Sequence, residues 1–302
     1  MELQQLRYVL AVAETRNFTR AAERCHIVQS ALSHQIKALE REIGVTLFAR
    51  TSRRVELTSA GEAFLPAARA SLAAADRAVA EAAAATGEIR GRLVVGVIPT
   101  VTAVDVPAIL AEFRQAHPAV RIALRTGGSD QFVADIAAGR MDVAVLGLPH
   151  DVVPQAVASR ALRRERLVAV LSAEHRLVHR RRLCLADLAP ETFVDYPARS
   201  PARAQSDLAF DSAGLSREVA FEAMDTGLIF GIVRRNLGVT LQSPSVVPDG
   251  PELRAIPVAD GPVRVEHLAW NDFNPSPAAL AFVDLVVPAA PGADLTAGRS
   301  AP

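Results

Sequence analysis

The sequence predicts an α/β protein in three parts: a small helical N-terminal domain, one long helix, and a larger α/β domain in two lobes. Three observations carry this. Through residues 1–57 apolar residues recur at helical spacing with almost no extended runs. An Ala-rich stretch with heptad spacing follows at 58–85. From residue 93 strand-like and helix-like runs alternate, the pattern of a mostly parallel sheet. A chain of 302 residues also exceeds one ordinary core.

In the first part, Leu3, Leu6, Val9, Leu10 and Ala13 fall on one helical face. A second short helix spans 18–25, with Thr19 as candidate cap. A third, 30–43, lines up Leu32, Ile36, Leu39 and Ile43, and Gly44 is a natural stop. Residues 45–58 read as two short strands around an Arg-rich tip. Ala21, Ala22 and Cys25 are small where two helices must cross, and Ile27 and Leu32 plug the angle. This is helix-turn-helix spacing, and the second helix of such a motif enters the major groove of DNA. Its polar side chains here are Gln29, Ser30, Ser33, His34 and Lys37. Gln reads adenine, Ser reaches bases or phosphate, and Lys reaches guanine or phosphate. The Arg53–Arg54 tip suits a wing on the backbone or minor groove. Residues 1–60 carry nine Lys/Arg against six Asp/Glu, an excess of three in a chain whose formal net charge is zero. The bland alternative is a three-helix bundle with a polar outer helix. The basic tip, the long helix and the α/β domain together weigh against it.

In the long helix, Ser59 and Glu62 have capping-box spacing, with Thr58 as a second candidate cap. Leu65, Ala68, Leu72, Ala75, Val79 and Ala82 recur at alternating steps of three and four, a seam that implies a helical partner and hence a dimer. TGEIRGR, 86–92, reads as a hinge. The expected domains are therefore 1–58, a linker 59–89, and 90–302. Within the last, lobe 1 takes about 90–161 and 266–290, lobe 2 about 162–265, and the Pro/Ala/Gly tail 291–302 is disordered.

Ligands of open α/β sheets bind beyond the carboxyl ends of the strands. Three loops leave strands there: residues 99–102 with Thr100 and Val101, residues 126–129 with Thr126 and Ser129, and residues 196–203 with Arg199, Ser200 and Arg203. Two run into helix N-termini, which favour anions. The expected ligand is a small organic anion. The competing reading is that Thr and Ser simply cap helices and that Arg is common throughout: 32 of the 33 basic residues are Arg, Lys37 being the exception.

Other functions lack support. No apolar run reaches the ~18 residues of a membrane span, and the N-terminus is amphipathic and acidic rather than a secretion signal, so a cytoplasmic protein is expected. A periplasmic solute-binding protein needs such a signal. An α/β enzyme needs a nucleophile, metal or phosphate-loop motif, and none occurs. His175 and His179 stand four apart without a third ligand at metal spacing and read as surface residues. No cofactor and no metal are expected. The two cysteines, Cys25 and Cys184, exclude a disulfide scaffold.

Residues 18–64 resemble the N-terminal signature of the LysR-type transcriptional regulators: the Ala pair, QSALSHQI, LEREIGVTLFAR and LTSAG. The rest of the chain is similar in layout and in fragments, such as DVAVL and LGVTL. The resemblance implies a winged helix-turn-helix, a dimerising linker helix and a two-lobed sensor like the periplasmic binding proteins, usually assembled as a homotetramer. It implies DNA contacts at Thr19, Gln29, Ser30, Ser33, His34, Lys37, Arg53 and Arg54; His34 departs from the family, where Arg is common. It also implies an effector pocket at the loops named above, an operator with dyad symmetry and, for an activator, contact with RNA polymerase. Some relatives sense oxidants through a cysteine pair in the sensor, whereas Cys184 is the one cysteine in that part of this chain.

Overall fold

The computed structural model describes residues 1–50, 55–273 and 275–289. It divides into two compact units: Met1–Gly91 with Ala138–Arg140, and the remainder from Arg92. The expected Arg53–Arg54 tip and the tail 291–302 lie outside the described residues.

The first unit begins with helices α1 (Leu3–Thr15), α2 (Phe18–Arg24) and α3 (Gln29–Ile43). Asn17, not Thr19, caps α2: its side chain accepts the backbone N–H groups of Thr19 and Arg20. Asn17 is the extended residue just before the helix, where a side-chain oxygen can reach back to the free N–H groups. The turn into α3 passes through His26 in the left-handed region, φ 55°. It is closed by Ile27 N–H donating to Ala22 O. Ala21 and Ala22 are buried between the helices, as their size requires. Val9, Val12, Leu32, Ile36, Leu39 and Leu47 complete this core.

Helix α3 stops at Gly44, φ 75°. A hairpin follows, β1 (Phe48–Arg50) paired antiparallel with β2 (Val55–Leu57). Glu40 explains part of the sequence signature here. Its carboxylate accepts the N–H groups of Leu47 at 2.8 Å and Phe48 at 3.2 Å, tying the loop after Gly44 back onto α3.

Helix α4 (Ser59–Ala84) is 26 residues long and is capped by Thr58, whose side chain accepts Gly61 N–H; the Ser59–Glu62 box is not used. The Thr58 hydroxyl also donates to Thr46 O at 2.6 Å, so it fastens helix to hairpin. Gly61 sits where a Cβ would lie 2.2 Å from Leu47 O, so only glycine fits. Along the seam, Leu65 and Ala68 are buried, Leu65 within the unit's own core. Leu72 and Ala75 are half-buried, and Val79 is 59% exposed.

The second unit has two lobes. Its chain runs β3 (Gly91–Val97), α5 (Val106–Ala116), β4 (Val120–Thr126), α6 (Ser129–Ala137), β5 (Val143–Pro149) and β6 (Ala158–Arg166). It then crosses into β7 (Val168–Ser172), α7 (Leu185–Leu188), β8 (Thr192–Asp195), α8 (Pro201–Ser212) and β9 (Glu218–Glu222). The remaining elements are α9 (Thr226–Arg234), β10 (Thr240–Gln242), β11 (Leu253–Pro257), β12 (Val263–Trp270) and α10 (Pro277–Ala289).

Lobe 1 is a five-stranded sheet in the order β4-β3-β5-β12-β6. Lobe 2 holds β10-β7-β11 and the parallel pair β8-β9, linked by a bridge between Phe193 and Val239. The sheets are mixed rather than mostly parallel. β12 is antiparallel to both β5 and β6, and β7 is antiparallel to β10 and β11. β6, which ends at Arg166, and β12, which begins at Val263, belong to the lobe 1 sheet, whereas β7, β10 and β11 form a sheet of lobe 2. At this crossing Leu167 N–H donates to Pro262 O, so the two connecting strands run side by side. Among the described residues no helix is long and apolar enough to cross a membrane.

Candidate DNA-binding face and effector cleft

On α3, the period of 3.6 separates two faces. Leu32, Ile36 and Leu39 are buried at 0% exposure, so Gln29, Ser30, His34 and Lys37 point outward and are exposed, with Ser33 half-buried beside them. Thr19, in the first turn of α2, is also exposed. The residue preceding α3 is Val28, which offers no side-chain cap. An uncapped, exposed helix N-terminus keeps its N–H groups and positive dipole end for an anion such as phosphate.

In the second unit a cleft opens between the lobes. The ends of β3 and β5 and the start of α6 supply Thr100, Gly128, Ser129 and Gly147; lobe 2 supplies Tyr196, Ser200, Gln205 and Gln242. Its empty space is about 580 Å³ including the open mouth. Much of the wall is apolar: Ile98, Pro99, Leu167, Met224 and Leu241.

Three of the seven expected effector residues line this cleft. Thr100 is buried and accepts from Arg264. Ser129 bonds both N–H and carbonyl of Gly147, pinning α6 to β5. Ser200 caps α8 through the Arg203 N–H. The other four do not line it. Val101 packs against the lobe 1 core. Thr126 and Arg199 are exposed, Arg199 with φ 67°. Arg203 is held by carboxylates of its own lobe: Nε donates to Asp207 at 2.8 Å and Nη1 to Glu222 at 3.2 Å. Asp195, 3.8 Å from Arg203 and 2.7 Å from Arg217, belongs to the same cluster. Burial pushes its carboxyl above the ordinary range even though both arginines pull it down.

The cation in the cleft is Arg264, which the sequence reading missed. It is 5% exposed; Nη1 donates to Thr100 Oγ1 at 2.9 Å, and Nη2 donates to Thr100 O and to Glu266, both at 2.6 Å. Glu266, fully buried, also accepts from Thr102 N–H, Thr102 Oγ1 and Ala103 N–H. The pair thus ties β12 to the loop before α5. Arg264 Nε is buried without a hydrogen-bond partner among the described residues. Room for it depends on Gly147, where a Cβ would lie 3.0 Å from Nε.

Neither cysteine stands at the cleft: Cys25 packs on the first unit's core and Cys184 bonds Asp187. His175 contacts Glu191 at 3.3 Å. Among the described residues no group of three metal-ligating side chains occurs.

Comparison with known proteins agrees with this layout. The family described as "Bacterial regulatory helix-turn-helix protein, lysR family" matches residues 3–62, and "LysR substrate binding domain" matches residues 86–291. The chain is 32% identical to the HTH-type transcriptional regulator AlsR of Bacillus subtilis over 80% of each chain. It is 33% identical to the uncharacterized regulator YnfL of Escherichia coli, over 93% of this chain and 96% of that one. The structure of full-length CbnR with its target DNA covers 96% of this chain and 100% of CbnR, with TM-score 0.67 and 26% identity. The families matched are regulators rather than enzymes. With the helix-turn-helix family matching residues 3–62 and the substrate-binding family matching 86–291, the chain belongs to the LysR family of bacterial transcription regulators.

Proposed function

We propose that this regulator is controlled by a small organic anion bound in the cleft between its lobes. The observation that carries this reading is Arg264, a buried guanidinium one hydrogen bond short at the cleft. The N-termini of α6 and α8 face the same space, one from each lobe, and their dipoles favour negative charge. An anion held by both lobes draws them together, and its differential affinity for the closed state is what shifts the regulator's conformational balance.

The exposed face of α3 supports base reading by Gln29, Ser30, Ser33 and His34, with Thr19 and Lys37 on phosphate or base edges. Arg53 and Arg54 complete the wing in this reading. Two chains pair through the α4 seam at Leu65, Ala68, Leu72, Ala75 and Val79, and two dimers form the homotetramer. Such a dimer reads two half-sites related by a dyad. An activator of this design also meets RNA polymerase, and all of this work takes place in the cytoplasm, where the DNA is. Footprinting on the DNA upstream of its own gene, with and without candidate organic acids, tests the reading. An anion that binds without altering DNA occupancy or footprint length contradicts it.

A further inference from the structure

We propose that Val28 reads the 5-methyl group of a thymine, so that each operator half-site carries a T·A pair fixed by an apolar contact at the tip of α3. This rests on the base-reading face of α3 proposed above and adds to it a position that makes no side-chain hydrogen bond.

Val28 is the residue from which α3 starts. Its backbone is extended, φ −76° and ψ 143°, and its carbonyl accepts the N–H groups of Ala31 at 3.1 Å and Leu32 at 3.2 Å. A helical residue four positions before Leu32 would lie on the buried stripe of Leu32, Ile36 and Leu39. The extended backbone takes Val28 off that stripe, and its side chain is 67% exposed beside the exposed Gln29 and Ser30. Between residues 18 and 43 it is the one large apolar side chain exposed among the described residues.

Folding does not account for a valine here. The position before a helix favours Ser, Thr, Asp or Asn, whose oxygen takes a free N–H group, and valine is among the poorest choices. Val28 forgoes that cap. Nor does it serve the core: its neighbour Ile27 packs on the cluster around Leu32 and Ile36, and Val28 does not. A single exposed apolar side chain is ordinary on a protein surface. This one stands at the end of the helix that a helix-turn-helix protein places in the major groove.

The groove fixes the partner. A valine side chain neither donates nor accepts, so it bonds no phosphate and no polar base edge. Among the groups that base pairs display in the major groove, the apolar one is the C5 methyl of thymine. Against any other pair, the two Val28 methyls would strip water from a polar edge and return no hydrogen bond. Against thymine, both partners remove apolar surface from water.

The experiment uses the full chain and duplexes selected by it from a randomised pool. Each selected half-site is expected to hold a thymine that tolerates no cytosine. Replacing that thymine by deoxyuridine in one half-site removes only the methyl and should weaken binding about threefold to tenfold, as loss of one buried methyl contact does. Val28→Ala and Val28→Ser should bind the thymine and deoxyuridine duplexes within about twofold of each other, the mark of a coupled pair in a mutant cycle. Val28→Ile, which keeps the apolar branch, should retain the discrimination. Circular dichroism reports the fold of each variant, and Val28 is exposed enough for all three to fold. Selected sites without a fixed thymine, equal binding of thymine and deoxyuridine by the parent, or undiminished discrimination in Val28→Ser each overturn the assignment. If Gln29→Ala relaxes sequence preference while deoxyuridine has no effect, the α3 reading stands and only the role of Val28 fails. If neither Gln29→Ala nor Val28→Ser changes preference, the base-reading face of α3 fails with it.

Discussion

Glu266 holds Arg264 in place across two residues of one strand, with Nη2 2.6 Å from the carboxylate and the acid fully buried. Burying two charges is costly, and the pair is tolerable because the Glu266 oxygens also take two backbone N–H groups and a hydroxyl. Breaking it from one side should be severe. Glu266→Ala is expected to destabilise the second unit by about 3–5 kcal/mol, the range for an uncompensated buried charge. Arg264→Met with Glu266→Gln should recover most of that. Chemical denaturation of the three proteins checks it; equal stability of Glu266→Ala and the parent contradicts the role given to this pair.

Gly61 tests the junction between hairpin and long helix. A Cβ there meets the Leu47 carbonyl at 2.2 Å and Leu57 Cδ2 at 2.9 Å, and the first of these is backbone that cannot rotate away. Gly61→Ala is expected to cost about 1–3 kcal/mol or more, as overpacking does, and to weaken operator binding by displacing β1 and β2. Thermal unfolding and a mobility shift read both effects; a stable, fully active variant would refute the close approach.

The polar face of α3 should divide by function. Changing Gln29 or His34 should alter sequence preference, by about 1–3 kcal/mol at the affected base pair. Changing Lys37 to Ala should weaken all sites more evenly and flatten the salt dependence. Binding-site selection at two salt concentrations separates the two outcomes.

The exposed part of the α4 seam predicts assembly. Leu72 is half-buried and Val79 exposed in the single chain, while Leu65 and Ala68 already serve the chain's own core. Leu72→Asp should therefore give monomers that bind DNA poorly, because a charge in a helix–helix seam is expensive. Sedimentation of a dimer by this variant would show that the chains pair elsewhere.

His267 gives a pH signature. It is 8% exposed, its Nδ1 has no partner among the described residues, and burial holds its pKa below the ordinary 6.5. The unfolded chain then binds this proton at higher pH than the folded one. Its stabilising effect is present above pH 6.5 and is lost as the pH falls below that value, with a slope of at most about 1.4 kcal/mol per pH unit. His267→Phe should lose less stability between pH 7 and about pH 5.5 than the parent. Identical profiles would assign the acid sensitivity to other groups.

Much of the fold was legible because its helices are amphipathic and its glycines sit at stops. Leu32, Ile36 and Leu39 marked the buried face of α3 and so its outer face. Other features were hidden for definable reasons. β6, ASRALRRER, is an edge strand whose Arg-rich composition masks its alternation. Antiparallel β12 could not be told from a parallel strand, because strand–helix alternation carries no direction. That same reversal concealed Arg264. Searching the carboxyl ends of strands finds Thr100 and Ser129, yet β12 runs the other way, so its amino end, Arg264 opposite Pro149, reaches the same edge. Arg203 misled because its neutralising acids, Asp207 and Glu222, lie on the helix and the strand beside it, a pairing visible only once α8 and β9 are folded together.

The central claim is that DNA occupancy answers to a ligand in the cleft, and DNase footprinting on the chain's own upstream DNA tests it most directly. The account predicts protected half-sites with dyad symmetry, about 10 base pairs apart. It further predicts a footprint that changes length or occupancy when a small organic anion that binds the cleft is added, and no change in the paired Arg264→Met, Glu266→Gln variant. Protection without symmetry, or a ligand response that persists in that variant, would contradict it.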